Sequence, residues 1–329
     1  MQFSYQLMLA LSGIIVGIGL TITSENPFGV WFGLEINMFS FIFFLLLEEE
    51  TSPEIAVKYF LIQAAASFVF MLTMMFSYPF LSYMFILFAM ALKTGMAPFH
   101  FWLPQISEKM KWSRLLILFS LQKLAPWAII NSTYTSSLET SLTSLMILSA
   151  IVGALGGINE PSLPKLMAFS SIAHMSWMAM SVIISTKLWI FYFLMYLTSF
   201  ILLIMPLLKT EVYQISNIWA PKFSFLTSFS LSISMLSLMG LPPLLGFMPK
   251  FILIINLTYK LYLLTLSILI MSSMISIYYY LRLTLSFKFL KQSCNYFFSK
   301  KDGHLSIPLS LNILGLITLP LTVSLPSLL

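Results

Sequence analysis

Three stretches decide the solvent in which this chain folds. LMLALSGIIVGIGLTI (7–22), SLTSLMILSAIVGALGG (141–157) and LWIFYFLMYLTSFILLIMPLL (188–208) each run without a single charge. About 20 such residues, wound as an α-helix, span the hydrocarbon core of a bilayer. The rest of the chain agrees: 9% of its 329 residues are charged, where a globular domain carries about 25%, and its mean hydropathy is +0.94. The expected fold class is an all-α, polytopic integral membrane protein.

The first apolar segment lacks a basic flank and a small-residue cleavage site before Glu25, so it is expected to stay in the membrane rather than act as a signal peptide. No Arg-rich amphipathic presequence precedes it, which implies synthesis inside an organelle or internal targeting if the protein is organellar. Cys294 is the lone cysteine and leaves no internal disulfide and no cysteine-held iron–sulfur cluster. GxGxxG, Walker and HExxH patterns are missing, so no nucleotide or redox cofactor is expected on this chain, and no nucleic acid partner.

Hydropathy divides the sequence into about eleven spans, near 3–23, 27–47, 56–77, 80–104, 113–132, 138–157, 163–185, 188–208, 223–257, 261–283 and 305–326. Loop charge tests that count. The loops after even-numbered spans, with their flanks, hold Lys58, Lys109, Lys111, Arg114, Lys165, Lys209, Lys222, Arg282, Lys288, Lys291, Lys300 and Lys301, whereas the other side holds Lys187 and Lys260. Basic residues concentrate on the inner side of a membrane. The N-terminus is therefore predicted inside and the C-terminus outside. Glu48–Glu50 falls on the basic side and reads as a solvated loop or partner contact, since acidic residues weigh little in orientation.

Glu35, Lys93, Lys123 and Lys250 remain inside the spans, with Lys58 near a helix start. A charge at bilayer depth costs roughly 2.5–3.5 kcal/mol, and such residues usually mark an ion or proton path. The competing explanation is snorkelling, in which a long side chain reaches the interface. It suits Lys58 better than Lys93, Lys123 or the short Glu35, which lie about nine to fourteen residues into their spans. Lysine suits a relay because a desolvated ammonium gives up its proton readily and a carboxylate such as Glu35 would retain it. His100 and His174 titrate near the working pH without help, although a lone histidine is often a satisfied core residue.

Two spans are interrupted. In FILFAMALKTGMAPFHFWLP (85–104), Gly95 and Pro98 follow Lys93; in MGLPPLLGFMPKFIL (239–253), Gly240, Pro242, Pro243, Gly246 and Pro249 precede Lys250. Proline removes a backbone donor and clashes with the preceding turn, and the freed groups must be buried in protein or line water. The interruptions fall in spans 4 and 9. An offset of five reverses direction, which predicts two five-helix inverted repeats, about 1–135 and 136–285, with a basic loop and C-terminal helix at 286–329. Two proline kinks in a large bundle are the plainer alternative. Gly13 with Gly17, and Gly153 with Gly157, are expected to let helices pack closely. The basic loop 282–301 is expected to meet anionic lipid or neighbouring chains.

Read together, WFGLEINMFSF, EIAVKYFLIQAAAS, ALKTGMAPFHFWLPQ, LQKLAPWAII, KLMAFSSIAHMSWM and GLPPLLGFMPKF, in order from residue 31 to about 252, resemble the NADH–ubiquinone oxidoreductase chain 2 family. These are the antiporter-like membrane subunits of mitochondrial respiratory complex I. The resemblance implies that Glu35 pairs with Lys93 as a coupling ion pair, that Lys123 is the central relay lysine and that Lys250 faces the opposite exit. It gives His100 a bridging position, and makes Glu54 and Lys58 a further charged pair near the matrix side. His174 keeps its candidacy from the residues alone. It further implies a mitochondrial inner-membrane location with the N-terminus in the matrix and the C-terminus in the intermembrane space. The partners it implies are other membrane-arm subunits, including antiporter-like and accessory chains, and membrane lipids, with cardiolipin a candidate. NADH, FMN, iron–sulfur clusters and ubiquinone would be held elsewhere in the complex. Pro164 before Lys165 and the acidic Glu48–Glu50 depart from the family pattern. The alternatives are a stand-alone cation/proton antiporter subunit and a membrane scaffold.

Overall fold

The structure is a computed structural model, and it describes residues 2–47, 53–75, 78–215, 225–242 and 244–289. The expected span at 305–326, Cys294 and the acidic run Glu48–Glu50 lie outside those residues. Among the described residues the secondary structure is helical, and β pairing is limited to one isolated bridge between Ser162 and Gln214. Eight helical stretches are long and apolar enough to cross a membrane, and three shorter apolar helices, Phe80–Thr94, Thr227–Met239 and Phe247–Tyr259, accompany them. The chain divides into two compact units, Met1–Leu145 and Met146–Leu329.

In the first unit α1 (Gln2–Thr23) and α2 (Pro27–Leu46) form a tight hairpin. A Cβ built on Gly17 would lie 2.7 Å from the Asn37 amide nitrogen, so only glycine allows backbones to cross this closely. Helix α3 (Pro53–Leu72) packs between α2 and α4 (Pro79–Thr94). Proline opens α2, α3 and α4, where its missing N–H would have had no intrahelical acceptor. Two short helices follow, α5 (Trp102–Glu108) and α6 (Trp112–Phe119), then α7 (Leu121–Thr133), which packs on α4 and α1.

Helix α8 (Glu139–Gly156) leads into the second unit, which continues with α9 (Leu163–Ile184), α10 (Thr186–Thr210), α11 (Phe225–Met239), α12 (Phe247–Tyr259) and α13 (Leu263–Phe289). Helix α9 touches α10, α12 and α13 and is buried along nearly its whole length, which makes it the axis of this unit. That placement encloses His174 and several serines rather than presenting them to lipid.

Three contacts join segments at the helix ends. Lys109, after α5, meets Glu54 at the start of α3 at 3.1 Å. The Leu163 amide donates to the Tyr213 carbonyl at 2.8 Å, joining the loops after α8 and α10. Lys260, assigned to the opposite side, donates to the Ile184 carbonyl at 3.4 Å.

Candidate functional site

The expected span near 80–104 is two helices. Gly95 ends α4 in the left-handed region at φ 76°, and the turn through His100 redirects the chain into α5. A helix end leaves its last carbonyls without intrahelical donors, and here those of Ala91, Leu92 and Lys93 have partners. The Gly95 and Met96 amides both donate to Ala91, Trp102 Nε1 donates to the Leu92 carbonyl at 3.2 Å, and Gln63 Nε2 on α3 donates to the Lys93 carbonyl at 3.3 Å. Lys93 itself is 6% exposed in the last turn, where the negative end of the helix dipole favours a cation.

The second interruption is built differently. Gly240 (φ 79°) ends α11, and α12 begins at Phe247. Lys250, in the first turn of α12, reaches back and donates from Nζ to the Met239 carbonyl at 2.9 Å. Its ammonium lies 5.7 Å from the Trp177 ring centre. At one break the exposed carbonyls are taken by neutral donors, and at the other a lysine takes one.

A third interruption carried no sequence signal. The expected single span at 113–132 is two helices, because Ser120 leaves the helical region (φ −110°, ψ −85°) between α6 and α7. Its hydroxyl turns back on the Leu116 carbonyl, a local bond that competes with the helix ladder. Pro126 inside α7 then withholds the amide that would have met the Gln122 carbonyl. Lys123 lies between these two defects, 2% exposed, with Nζ 5.4 Å from the Phe119 ring centre. All three membrane-embedded lysines therefore stand at or beside an interruption in their helix.

The remaining candidates divide. Glu35 is half-buried on α2 and is not within ion-pair distance of Lys93; among the described residues the ion pairs within 4 Å are those of Glu54 with Lys58 (2.5 Å) and Lys109 (3.1 Å). The Glu54–Lys58 pair is about half exposed and stands apart from the buried lysines. His100 is buried in the turn after Lys93, with its ring 4.2 Å from that of Phe101. His174 is buried on α9, its Nδ1 hydrogen-bonded to the Tyr192 hydroxyl at 2.9 Å. It shares with Lys250 a small cavity completed by Ser170, Trp177 and hydroxyls of α13, with about 10 Å³ of room for a water's centre. That is one water's worth.

The sequence reading passed over a group of uncharged polar residues. Tyr59 on α3 donates to Gln122 Oε1 on α7 at 3.2 Å, and Gln122 Nε2 donates to Asn37 Oδ1 on α2 at 3.0 Å. Asn37, Tyr59, Gln63 and Gln122 are all buried. Amides within apolar spans were the signal available, but attention to formal charge hides them.

Residues 79–276 match the transmembrane family described as NADH:quinone oxidoreductase/Mrp antiporter. An NADH-ubiquinone oxidoreductase chain 2 from Locusta migratoria is 35% identical over 291 residues, covering 85% of this chain and 84% of that one. Its counterpart from Anopheles gambiae is 36% identical, covering 88% of each. Among solved structures, respiratory complex I from Thermus thermophilus holds a chain that superposes with a TM-score of 0.79 at 22% identity, over 96% of this chain and 80% of that one.

Proposed function

The chain belongs to the NADH-ubiquinone oxidoreductase chain 2 family, and from that premise we propose that it moves protons across the mitochondrial inner membrane as an antiporter-like subunit of complex I. The observation that carries this reading is the placement of Lys93, Lys123 and Lys250, all buried and all at helix interruptions. A buried ammonium is costly at membrane depth, and residues retained there usually mark an ion or proton path; an interrupted helix is where backbone groups turn toward water or an ion.

In the first unit Glu35 modulates the charge on Lys93, with His100 beside the same break, and Lys123 carries the proton inward. In the second unit Lys250 exchanges it with the neighbourhood of His174. Electron transfer from NADH to ubiquinone takes place in other subunits and supplies the driving force. The chain therefore acts within a translocase without a redox group of its own. Its partners are the neighbouring membrane-arm chains and lipid. The N-terminus faces the matrix and the C-terminus the intermembrane space, as the loop lysines require. The breaks at Gly95 and Gly240 fit an inverted repeat of five helices each.

In the assembled complex in sealed vesicles, Lys123→Met is expected to reduce NADH-driven proton uptake by about tenfold or more, as loss of a proton-transfer group does. Unchanged uptake would sink the relay. The family description also covers Mrp antiporters, so a second reading is cation/proton exchange. It requires sodium-dependent proton movement that continues without NADH.

A further inference from the structure

Lys123 sits on the least self-sufficient helix of the first unit. Ser120 interrupts the ladder three residues before it, and Pro126 removes a backbone donor three residues after it. The first turn of α7 must be fixed by something other than its own backbone. Gln122, the neighbouring residue, is bound at both ends of its amide: the oxygen accepts from Tyr59 of α3 and the nitrogen donates to Asn37 of α2. All three side chains are at most 8% exposed.

Tyr59 has a second function by position. Gln63 is four residues further along α3 and on the same face, and its amide caps the Lys93 carbonyl where α4 ends. One face of α3 thus grips two separate interruptions, the one that carries Lys93 and the one that precedes Lys123. Packing steadies that face, since the Tyr59 ring lies edge-on to Phe41 at 4.9 Å and to Trp102 at 6.0 Å. The residues of the grip are amides and a phenol with no role in carrying charge. They hold position.

We propose that Asn37, Tyr59, Gln122 and Gln63 are positioning residues, and that α3 acts as a strut holding the breaks that carry Lys93 and Lys123 in fixed relation. This rests on the proton-relay reading above. In the assembled complex, Tyr59→Phe is expected to lower NADH-driven proton uptake about fivefold, the scale of one lost buried hydrogen bond, and Gln122→Leu, which loses the bonds to both Tyr59 and Asn37, by at least as much. The two together should be no worse than Gln122→Leu alone, because the Tyr59 contact is already broken there. The KM for quinone should stay unchanged while turnover falls.

A packing control and a matched set separate positioning from mere stability. Phe70→Leu loosens the core near the other end of α3, away from both amide contacts, and is expected to lower the melting temperature with little effect on uptake per assembled complex. Asn37→Leu/Gln122→Leu/Tyr59→Phe removes every partner of both bonds, a kind of change that is often nearly neutral for stability, yet uptake should remain low. Fully additive losses from Tyr59→Phe and Gln122→Leu, or normal uptake in the Asn37→Leu/Gln122→Leu/Tyr59→Phe complex, would overturn the strut. Lys123→Met keeps the two claims apart. If it leaves uptake intact, the relay itself fails; if it abolishes uptake while the Tyr59 and Gln122 variants do not, only the strut fails.

Discussion

At the scale of the residue, burial decides which charges matter. Lys250 is 7% exposed, donates to a single carbonyl and faces one aromatic ring. Lys250→Met is expected to remove that contact and depress proton uptake by about tenfold or more while leaving the methylene packing largely filled. Glu54 is about half exposed, and its partners are the equally exposed Lys58, one turn along α3, and Lys109 in the loop after α5, so Glu54→Gln should change uptake much less, and its effect should fade at high salt as screening grows. Measuring both variants at low and high ionic strength in vesicles checks the contrast. Lys93, Lys123 and Lys250 were legible in the sequence because a formal charge is rare in such a chain. Asn37, Gln63 and Gln122 were not, because a neutral amide raises no alarm in a charge count even though it must be satisfied in hydrocarbon just as strictly.

At the scale of the element, each interruption has its own cause. The ones at Gly95 and Gly240 could be read from the glycines and prolines that surround them. The one at Ser120 could not, since its neighbours Phe119 and Leu121 continue an apolar helical pattern. The break itself is a change of backbone angles at Ser120 (φ −110°, ψ −85°), which hydropathy does not register. The α11–α12 break shows how closely such a feature is fitted. A Cβ built on Gly246 would stand 1.8 Å from the Ser237 carbonyl oxygen. Gly246→Ala must therefore push the two half-helices apart, with an expected loss of about 1–3 kcal/mol, the usual scale of overpacking. A lowered melting temperature of the purified complex would register it, and an unchanged one would show that the break yields easily.

At the scale of the whole molecule, the two sides of the membrane are distinguished by lysines. With Cys294→Ser as background, Lys109→Cys and Lys260→Cys each place one thiol at an exposed loop position. A membrane-impermeant maleimide is expected to label Lys109→Cys only from the matrix side and Lys260→Cys only from the intermembrane side. Labelling of both from one side would break the alternation on which the orientation rests. The cavity shared by His174 and Lys250 bears on what such a membrane lets through. Its room suffices for one water and no more. A sodium ion would have to shed its hydration shell to enter, and the hydroxyls there would have to replace that shell beside an ammonium that repels it. A proton needs neither concession, because it passes from one oxygen or nitrogen to the next without occupying space. For the proposed relay, so narrow a point suits charge that travels without a body.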